Sequence, residues 1–194
     1  CLMPIPLGVL AVAGAGAGSL ANSYDLLQTV SITGGSTTSV SISGLGSFSA
    51  YKHLQIRYAA SFSSGNDSRY LIMRFNGDSG ANYAWHLLQG EGSGTAQTFR
   101  YTSQSYITAS EVMAQPRTSQ FSSGVIDLLD FSSPNKNTTS RSLWGIVDVT
   151  SPYRRIGLYS GFWNNTAAVT SISLAADNSA VFVVGSRFSL YGIK

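Results

Sequence analysis

Residues suited to acid–base or nucleophilic chemistry are few in this sequence. The only histidines are His53 and His86, and each lies in a stretch of alternating polar and apolar residues that is typical of a strand. A Ser–His–Asp triad requires a nucleophile, a base and an orienting acid. No G-x-S-x-G elbow accompanies the 32 serines. We therefore expect both histidines to be structural, and the protein not to be an enzyme.

Carboxylates offer a second kind of chemistry. Asp127 and Asp130 are three residues apart, so on a strand they point to opposite faces and do not form the pair that hydrolyses glycosides. A pair from distant strands is left open. Residues 76–82, NGDSGAN, supply oxygen ligands for calcium but lack the further acids of an EF-hand, and Asn-Gly-Asp is also a turn sequence. We expect no metal and no other cofactor.

Aromatic residues next to amides provide one candidate ligand site. Phe162, Trp163, Asn164 and Asn165 follow Gly161 in a segment that we interpret as a loop. Rings beside amide side chains can hold a sugar, because one part of the site is apolar and the other makes hydrogen bonds. The alternative, which we favour, is that these rings fill the core or a subunit interface.

The composition favours strands over helices. Only 11% of the residues are charged, against roughly 25% in average soluble domains. Small uncharged polar residues take their place, so strong helix formers are scarce. The formal charge is +3, and the bases are scattered without a basic tract, so we expect no nucleic-acid partner. Cys1 is the only cysteine, which excludes an intramolecular disulfide framework and a zinc site with two thiolates.

Short runs of β-branched and aromatic residues, separated by Gly, Ser, Asn and Pro clusters, predict about eleven strands. They are 27–32, 39–42, 53–59, 70–75, 85–88, 96–101, 125–129, 143–148, 156–159, 169–174 and 187–191. No long helical pattern lies between them to connect parallel strands. We therefore predict an all-β fold, an antiparallel β-sandwich of jelly-roll type over residues 25–194.

Residues 1–24 differ from this domain. Residues 1–18 carry no charge and end in alternating Gly and Ala. Pro4, Pro6 and several glycines oppose a membrane-spanning helix, and the basic start of a secretory signal is missing. We interpret residues 1–24 as an extended Gly/Ala-rich arm that lies in a groove of a partner or around a symmetry axis, and we expect no membrane span.

Three segments together resemble one family. They are residues 42–57, residues 71–86 with RFNGD, and residues 185–194 with FSLYGIK. The chain resembles small virion structural proteins of tailed bacteriophages, especially marine and cyanobacterial ones. The likeness covers most of residues 24–194, and residues 3–14 are similar to the start of such proteins.

The resemblance implies a non-enzymatic particle protein located in the virion. It implies a β-sandwich that forms a homotrimer or another symmetric oligomer and is bound to another virion protein through its N-terminal arm. Capsid decoration and a tail-fibre-like, receptor-binding role are both compatible with it. The alternative function is carbohydrate binding, in which Phe162, Trp163, Asn164 and Asn165 recognise a host surface glycan. The motifs are structural, so no family site residues are carried over.

Overall fold

The computed structural model describes five stretches of the chain. They are residues 23–64, 68–92, 94–114, 120–147 and 154–194. Their strands are β1 (Tyr24–Ser31), β2 (Ser39–Ser43), β3 (His53–Ala60), β4 (Ser68–Phe75), β5 (Tyr83–Glu91), β6 (Gln97–Gln104), β7 (Ile107–Met113), β8 (Ser122–Leu129), β9 (Thr139–Val147), β10 (Arg154–Trp163), β11 (Ser171–Ala176) and β12 (Arg187–Ile193). The only helical segment within these stretches is a 3₁₀ turn, Leu45–Phe48. The predicted all-β class is confirmed.

The strands form two antiparallel sheets. The larger sheet has the order β1-β12-β3-β8-β9-β10-β5-β6, and the smaller has the order β2-β11-β4-β7. The pairings between these strands are all antiparallel. The two sheets pack on one shared apolar core, as the sheets of a β-sandwich do. The predicted antiparallel pairing is therefore confirmed, and the two-sheet arrangement agrees with the predicted sandwich.

Strand alternation decides which side chains enter the core. In β9 buried and exposed positions alternate, so Trp144 and Ile146 are buried while Leu143 and Val147 lie on the outer surface. Each large apolar side chain that is fully buried contributes roughly 1.5–3 kcal/mol. The largest fully buried side chains are Trp144, Trp163, Tyr83, Tyr159, Phe62, Phe75, Phe131, Phe182 and Phe188.

Strand β7 is the one strand that the sequence patterns did not predict. All seven of its residues are buried, and the alternation of apolar and polar residues over 107–110, ITAS, does not continue through residues 111–113, EVM. Its polar side chains reach partners in the sandwich: Ser110 bonds to the hydroxyl of Tyr58, and Glu111 accepts from Arg155. A strand that is buried on both faces and carries paired polar groups does not produce the pattern used to find strands.

The two sheets differ in width. Strand β7, at the edge of the smaller sheet, packs against β8, β9 and β10 and reaches the margin of β5. Strand β6 lies beyond β5 at the edge of the larger sheet, and seven of its eight residues are exposed. The larger sheet therefore projects past the smaller one, and the inner face of β6 stays open.

The predicted arm, residues 1–24, lies almost entirely outside the described residues, and β1 begins at Tyr24. Within the described part of the chain, no helix has the length and apolar character needed to cross a membrane.

Candidate functional site

The outer face of the larger sheet carries a block of exposed apolar side chains. Leu88, Leu158, Leu143 and Val125 are directly opposite one another on β5, β10, β9 and β8. Leu143 is 54% exposed and Ile156, in the next row of β10, is 62% exposed. Large apolar side chains scattered singly over a surface are ordinary, whereas a contiguous block indicates an interaction site.

Arginines surround this block on the same face. We call the whole surface the leucine–arginine face, and its residues are Leu88, Val125, Leu143, Val147, Ile156 and Leu158 with Arg57, Arg100, Arg141, Arg154 and Arg187. All five arginines are exposed. The carboxylate on the same face that lies closest to the block in register is Asp127, opposite Arg141. The face is therefore cationic around an apolar centre.

A hydrogen-bonded chain organises the β3 side of this face. The guanidinium of Arg57 lies 4.8 Å from the ring centre of Tyr24 and 4.7 Å from that of Tyr191. Its Nε donates to Oε1 of Gln55 (2.7 Å), and Nε2 of Gln55 donates to Oδ1 of Asp127 (2.8 Å). Cation–π contacts and charge-assisted hydrogen bonds hold these side chains in fixed orientations. This side of the face is preorganised.

Shallow grooves run across the same face. One open groove of about 450 Å³ lies between β6, β5 and β10 and includes His86, Leu88 and Leu158. Two others share Val125 and Leu143, one continuing to Ile156 and the other to Leu158. Because these depressions are open and adjoin one another, they suit an extended partner surface better than an enclosed small molecule.

The inner face of β6 forms a second distinctive surface. Gln97, Phe99 and Tyr101 alternate along β6, opposite Gln89, Leu87 and Trp85, and Tyr70 of β4 interacts electrostatically with Tyr101. We call these four residues the aromatic shelf. Tyr101 stacks on Trp85 with ring centres 4.1 Å apart, and Trp85 meets Tyr159 edge-on at 5.6 Å. The partly exposed ring of Tyr101 therefore rests on buried aromatic rings of the core.

An ionic cluster closes the gap between the sheets beside the shelf. Nη1 of Arg155 lies 2.7 Å from Oε1 of the buried Glu111, and its Nε lies 3.0 Å from Oε2 of Glu91. Ser68 also donates to Glu111. Burial lowers the pKa of Arg155, but the neighbouring carboxylates outweigh it and the net shift is upward. One guanidinium thus ties β10 to both β5 and β7.

The structure places the predicted ligand residues 162–165 in two different environments. Phe162 and Trp163 belong to β10 and not to a loop, so that expectation was wrong: β10 continues beside β9 and β5 to Trp163. Trp163 is only 1% exposed, and its Nε1 donates to Asp78 at 2.8 Å. Phe162 is half-buried, whereas Asn164 and Asn165 are exposed. The ring of Trp163 belongs to the core, the alternative favoured from sequence.

The other chemical candidates also have structural surroundings. Nδ1 of His53 accepts from the backbone N–H of Asp130 at 3.1 Å, whereas His86 is exposed on β5. Asp127 is on β8 and Asp130 follows it, with an ion pair to Lys136 at 3.0 Å. Among the described residues, Glu91 of β5 and Glu111 of β7 both form ion pairs with Arg155.

The NGDSGAN segment, residues 76–82, is a turn in which the carboxylate of Asp78 accepts three hydrogen bonds. Asp78 accepts from the backbone N–H of Gly80, from Nδ2 of Asn82 and from Nε1 of Trp163. These three donors, Trp163 first, hold the pKa of Asp78 below its usual range. No group of three or more metal-ligating His, Cys, Asp or Glu side chains occurs in the described stretches.

The sequence patterns predict neither the leucine–arginine face nor the aromatic shelf. A usable signal exists for the leucine–arginine face, because β9 and β10 carry neighbouring apolar residues such as Leu143-Trp144 and Leu158-Tyr159. Apolar residues on both faces of a strand indicate burial on both sides. The aromatic shelf has no such signal, because its exposure depends on the unequal widths of the sheets.

Comparisons of the chain with known protein families, with curated proteins and with solved structures found no match in any of the three. The fold and these two surfaces are therefore the basis on which a function is inferred.

Proposed function

We propose that this protein is a non-enzymatic structural component of a bacteriophage particle. In this proposal its β-sandwich self-associates into a homotrimer, and residues 1–24 attach it to another virion protein. The observation that carries the proposal is the leucine–arginine face, an apolar block left exposed in an otherwise well-buried domain. The family resemblance supplies the bacteriophage context.

The size of the outer face suits a stable subunit contact. Eight strands at about 4.8 Å spacing, each about 26 Å long, give a face on the order of 900 Å². A standard protein–protein interface buries about 800 Å² on each partner. The centre of the face is apolar and its margin is polar and charged, which is the usual anatomy of such an interface. A second copy of the chain is the partner that we infer.

The charge of the face favours a ring over a two-fold dimer. Each face carries five arginines and one nearby carboxylate, Asp127. If two identical faces met, their positive charges would repel each other. A two-fold contact pairs the same patch on both subunits, whereas a cyclic trimer pairs the face with a different surface of the neighbour. The cationic margin therefore supports a cyclic, heterologous contact.

The strand order supports a jelly-roll as the finer description of the fold. Eight strands fall into two sheets of four, β1-β12-β3-β8 and β2-β11-β4-β7. Consecutive members of this set alternate between the sheets except at β4 and β7, which pair with each other in the smaller sheet. This order supports the double Greek key of a jelly-roll. The remaining pairs, β5–β6 and β9–β10, extend the larger sheet. These two insertions build much of the leucine–arginine face.

The ion cluster supports a role without catalysis. Glu91 and Glu111 both contact Arg155, and a carboxylate held in a charge-assisted pair serves structure better than proton transfer. Glycan binding at residues 162–165 is the less supported alternative, since the buried ring of Trp163 offers no stacking surface and leaves Phe162, Asn164 and Asn165 to make the contact.

Deletion of residues 1–20 tests the attachment part of this proposal. We expect the truncated chain to fold, because the described strands form a core of their own, and to be absent from purified particles that contain the full chain. Thermal unfolding of both chains provides the control for folding. Normal incorporation of the truncated chain would contradict attachment through the arm.

A further inference from the structure

We propose that the aromatic shelf, Tyr70, Gln97, Phe99 and Tyr101, binds a neutral saccharide, with the ring of Tyr101 as the stacking platform. This site is separate from the leucine–arginine face and differs from residues 162–165. It does not depend on the trimer, so each proposal can fail without the other.

The exposure of the shelf is the first reason for this inference. Phe99 and Tyr101 are 42% and 43% exposed, although they lie opposite the buried Leu87 and Trp85 on the inner face of the larger sheet. Tyr70 of β4 is 42% exposed. Inner-face neighbours on β5, Trp85 and Leu87, are almost completely buried. The smaller sheet ends before β6, so these rings form an open ledge beside the core.

The rigidity of the platform is the second reason. Tyr101 lies on Trp85 at 4.1 Å with an angle of 27° between the rings, and Tyr159 continues the stack to Trp144 at 5.9 Å. A ring that is already packed on one side loses little conformational freedom when a ligand covers the other side. Binding energy from apolar contact with the ligand is then largely retained.

The polar groups beside the rings are the third reason. Nε2 of Gln89 donates to Oε1 of Gln97 at 3.0 Å, which leaves the amide of Gln97 oriented at the end of the ledge. A ligand rich in hydroxyl groups can supply both donors and acceptors.

The absence of charge on the shelf points to a neutral ligand. Arg100 lies between Phe99 and Tyr101 in sequence, but alternation directs it to the opposite face with His86. The four shelf residues carry no charge of their own. Glu111 and Glu91 beside them are ion-paired with Arg155, and Asp177, whose backbone N–H donates to the carbonyl of Tyr70, is exposed to solvent. Aromatic rings with amide and phenol groups match the alternating apolar and hydroxylated surfaces of a sugar.

A glycan array of neutral oligosaccharides and bacterial surface polysaccharides tests the proposal on the full chain. The strongest array ligand is then titrated while tryptophan fluorescence is recorded, since Trp85 lies directly under Tyr101. We expect Tyr101→Ala to weaken binding about tenfold, the loss of roughly 1.4 kcal/mol of ring contact. Tyr101→Phe keeps the ring and is expected to retain most of the affinity.

Phe121→Ala is the matched control, because Phe121 is also an exposed aromatic residue (38%) but belongs to neither the shelf nor the leucine–arginine face. We expect this variant to bind like the wild type, and thermal unfolding verifies that each variant folds. Failure of the wild type to bind any array ligand would overturn the proposal. Equal binding by Tyr101→Ala and Phe121→Ala would also overturn it, as would binding of protein segments but of no saccharide at the exposed edge of β6.

Discussion

At the residue scale, Arg155 joins the two sheets through Glu111 of β7 and also pairs with Glu91 within its own sheet. Its removal in Arg155→Ala leaves Glu111, whose side chain is only 5% exposed, as a buried charge without its cation. Breaking a buried ion pair in this way costs about 3 kcal/mol. We expect a large fall in the urea midpoint of unfolding.

Lys136→Ala is the control for this loss. Lys136 and Asp130 form an ion pair in which both side chains are well exposed, and such surface pairs contribute less than about 1 kcal/mol. Similar losses in stability for Arg155→Ala and Lys136→Ala would show that Arg155 does not tie the sheets.

The lowered pKa of Asp78 predicts that this residue contributes to stability in a pH-dependent way. Its folded-state pKa is lowered by the N–H of Trp163 first, then by Asn82 and Gly80. Its stabilising effect is therefore complete above the unfolded pKa, about 3.9, and is lost as the pH falls through the folded value. Asp78→Ala is expected to be about 1–3 kcal/mol less stable at pH 7, since Trp163 loses its buried partner. Urea unfolding at pH 7 and pH 3 measures this difference, and an undiminished difference at pH 3 would contradict the assignment.

Gly157 leaves room for the largest ring of the core. A Cβ at this position would lie 2.4 Å from Cζ2 of the buried Trp144, whereas a Cβ at Gly90 on the neighbouring strand would meet nothing within 4 Å. Overpacking of a core costs about 1–3 kcal/mol. We expect Gly157→Ala to lower the melting temperature clearly and Gly90→Ala to leave it nearly unchanged. Equal melting temperatures would show that Trp144 can move without cost.

At the scale of elements, β7 is held by hydroxyl groups from the larger sheet. Oγ of Ser142 donates to the carbonyl of Ala109, and Oγ of Ser122 accepts from the N–H of Met113. In Ser142→Ala that buried carbonyl loses its donor, at a cost of about 1–3 kcal/mol. We expect faster amide hydrogen exchange in β7 for this variant. Ser160→Ala, on the exposed face of the adjacent β10, provides the control and should leave exchange in β7 unchanged.

The elements also show how far the sequence could predict the fold. Strand β2 is predictable because its buried residues are apolar and its exposed residues are all serines. Strand β7 escaped because every residue in it is buried. Phe162 and Trp163 were assigned to a loop because Asn164 and Asn165 follow them, although the pairing of β10 with β5 extends to Trp163. Local composition indicates where strands end less well than it indicates that they exist.

The candidate surfaces depend on relations that no local pattern contains. Leu88 of β5 joins Leu158 and Leu143 in one block only through the register of β10 with β5 and with β9. Tyr101 is exposed only because the smaller sheet stops short of β6. Residue types and strand alternation can be read from the sequence, whereas the neighbours of each residue on a surface depend on the tertiary structure.

At the scale of the whole molecule, low charge and an exposed apolar face have one explanation. Small uncharged polar residues enter subunit contacts without the several kcal/mol that desolvation of an ion costs, and they make up much of this chain. In the proposed trimer, the apolar block of the leucine–arginine face would supply the driving force, and its arginines would restrict which surface can pair with it. Self-association is therefore the central claim of the proposed function.

Sedimentation equilibrium of the full chain tests that claim most directly. We predict a mass near three times 20.5 kDa for the wild type. Leu158→Arg places a charge in the apolar block and is expected to shift the mass towards that of one chain, whereas Val184→Arg, at an exposed apolar residue outside the face, leaves the trimer intact. A wild-type mass of 20.5 kDa at tens of micromolar, or a trimer that Leu158→Arg does not weaken, would contradict the account.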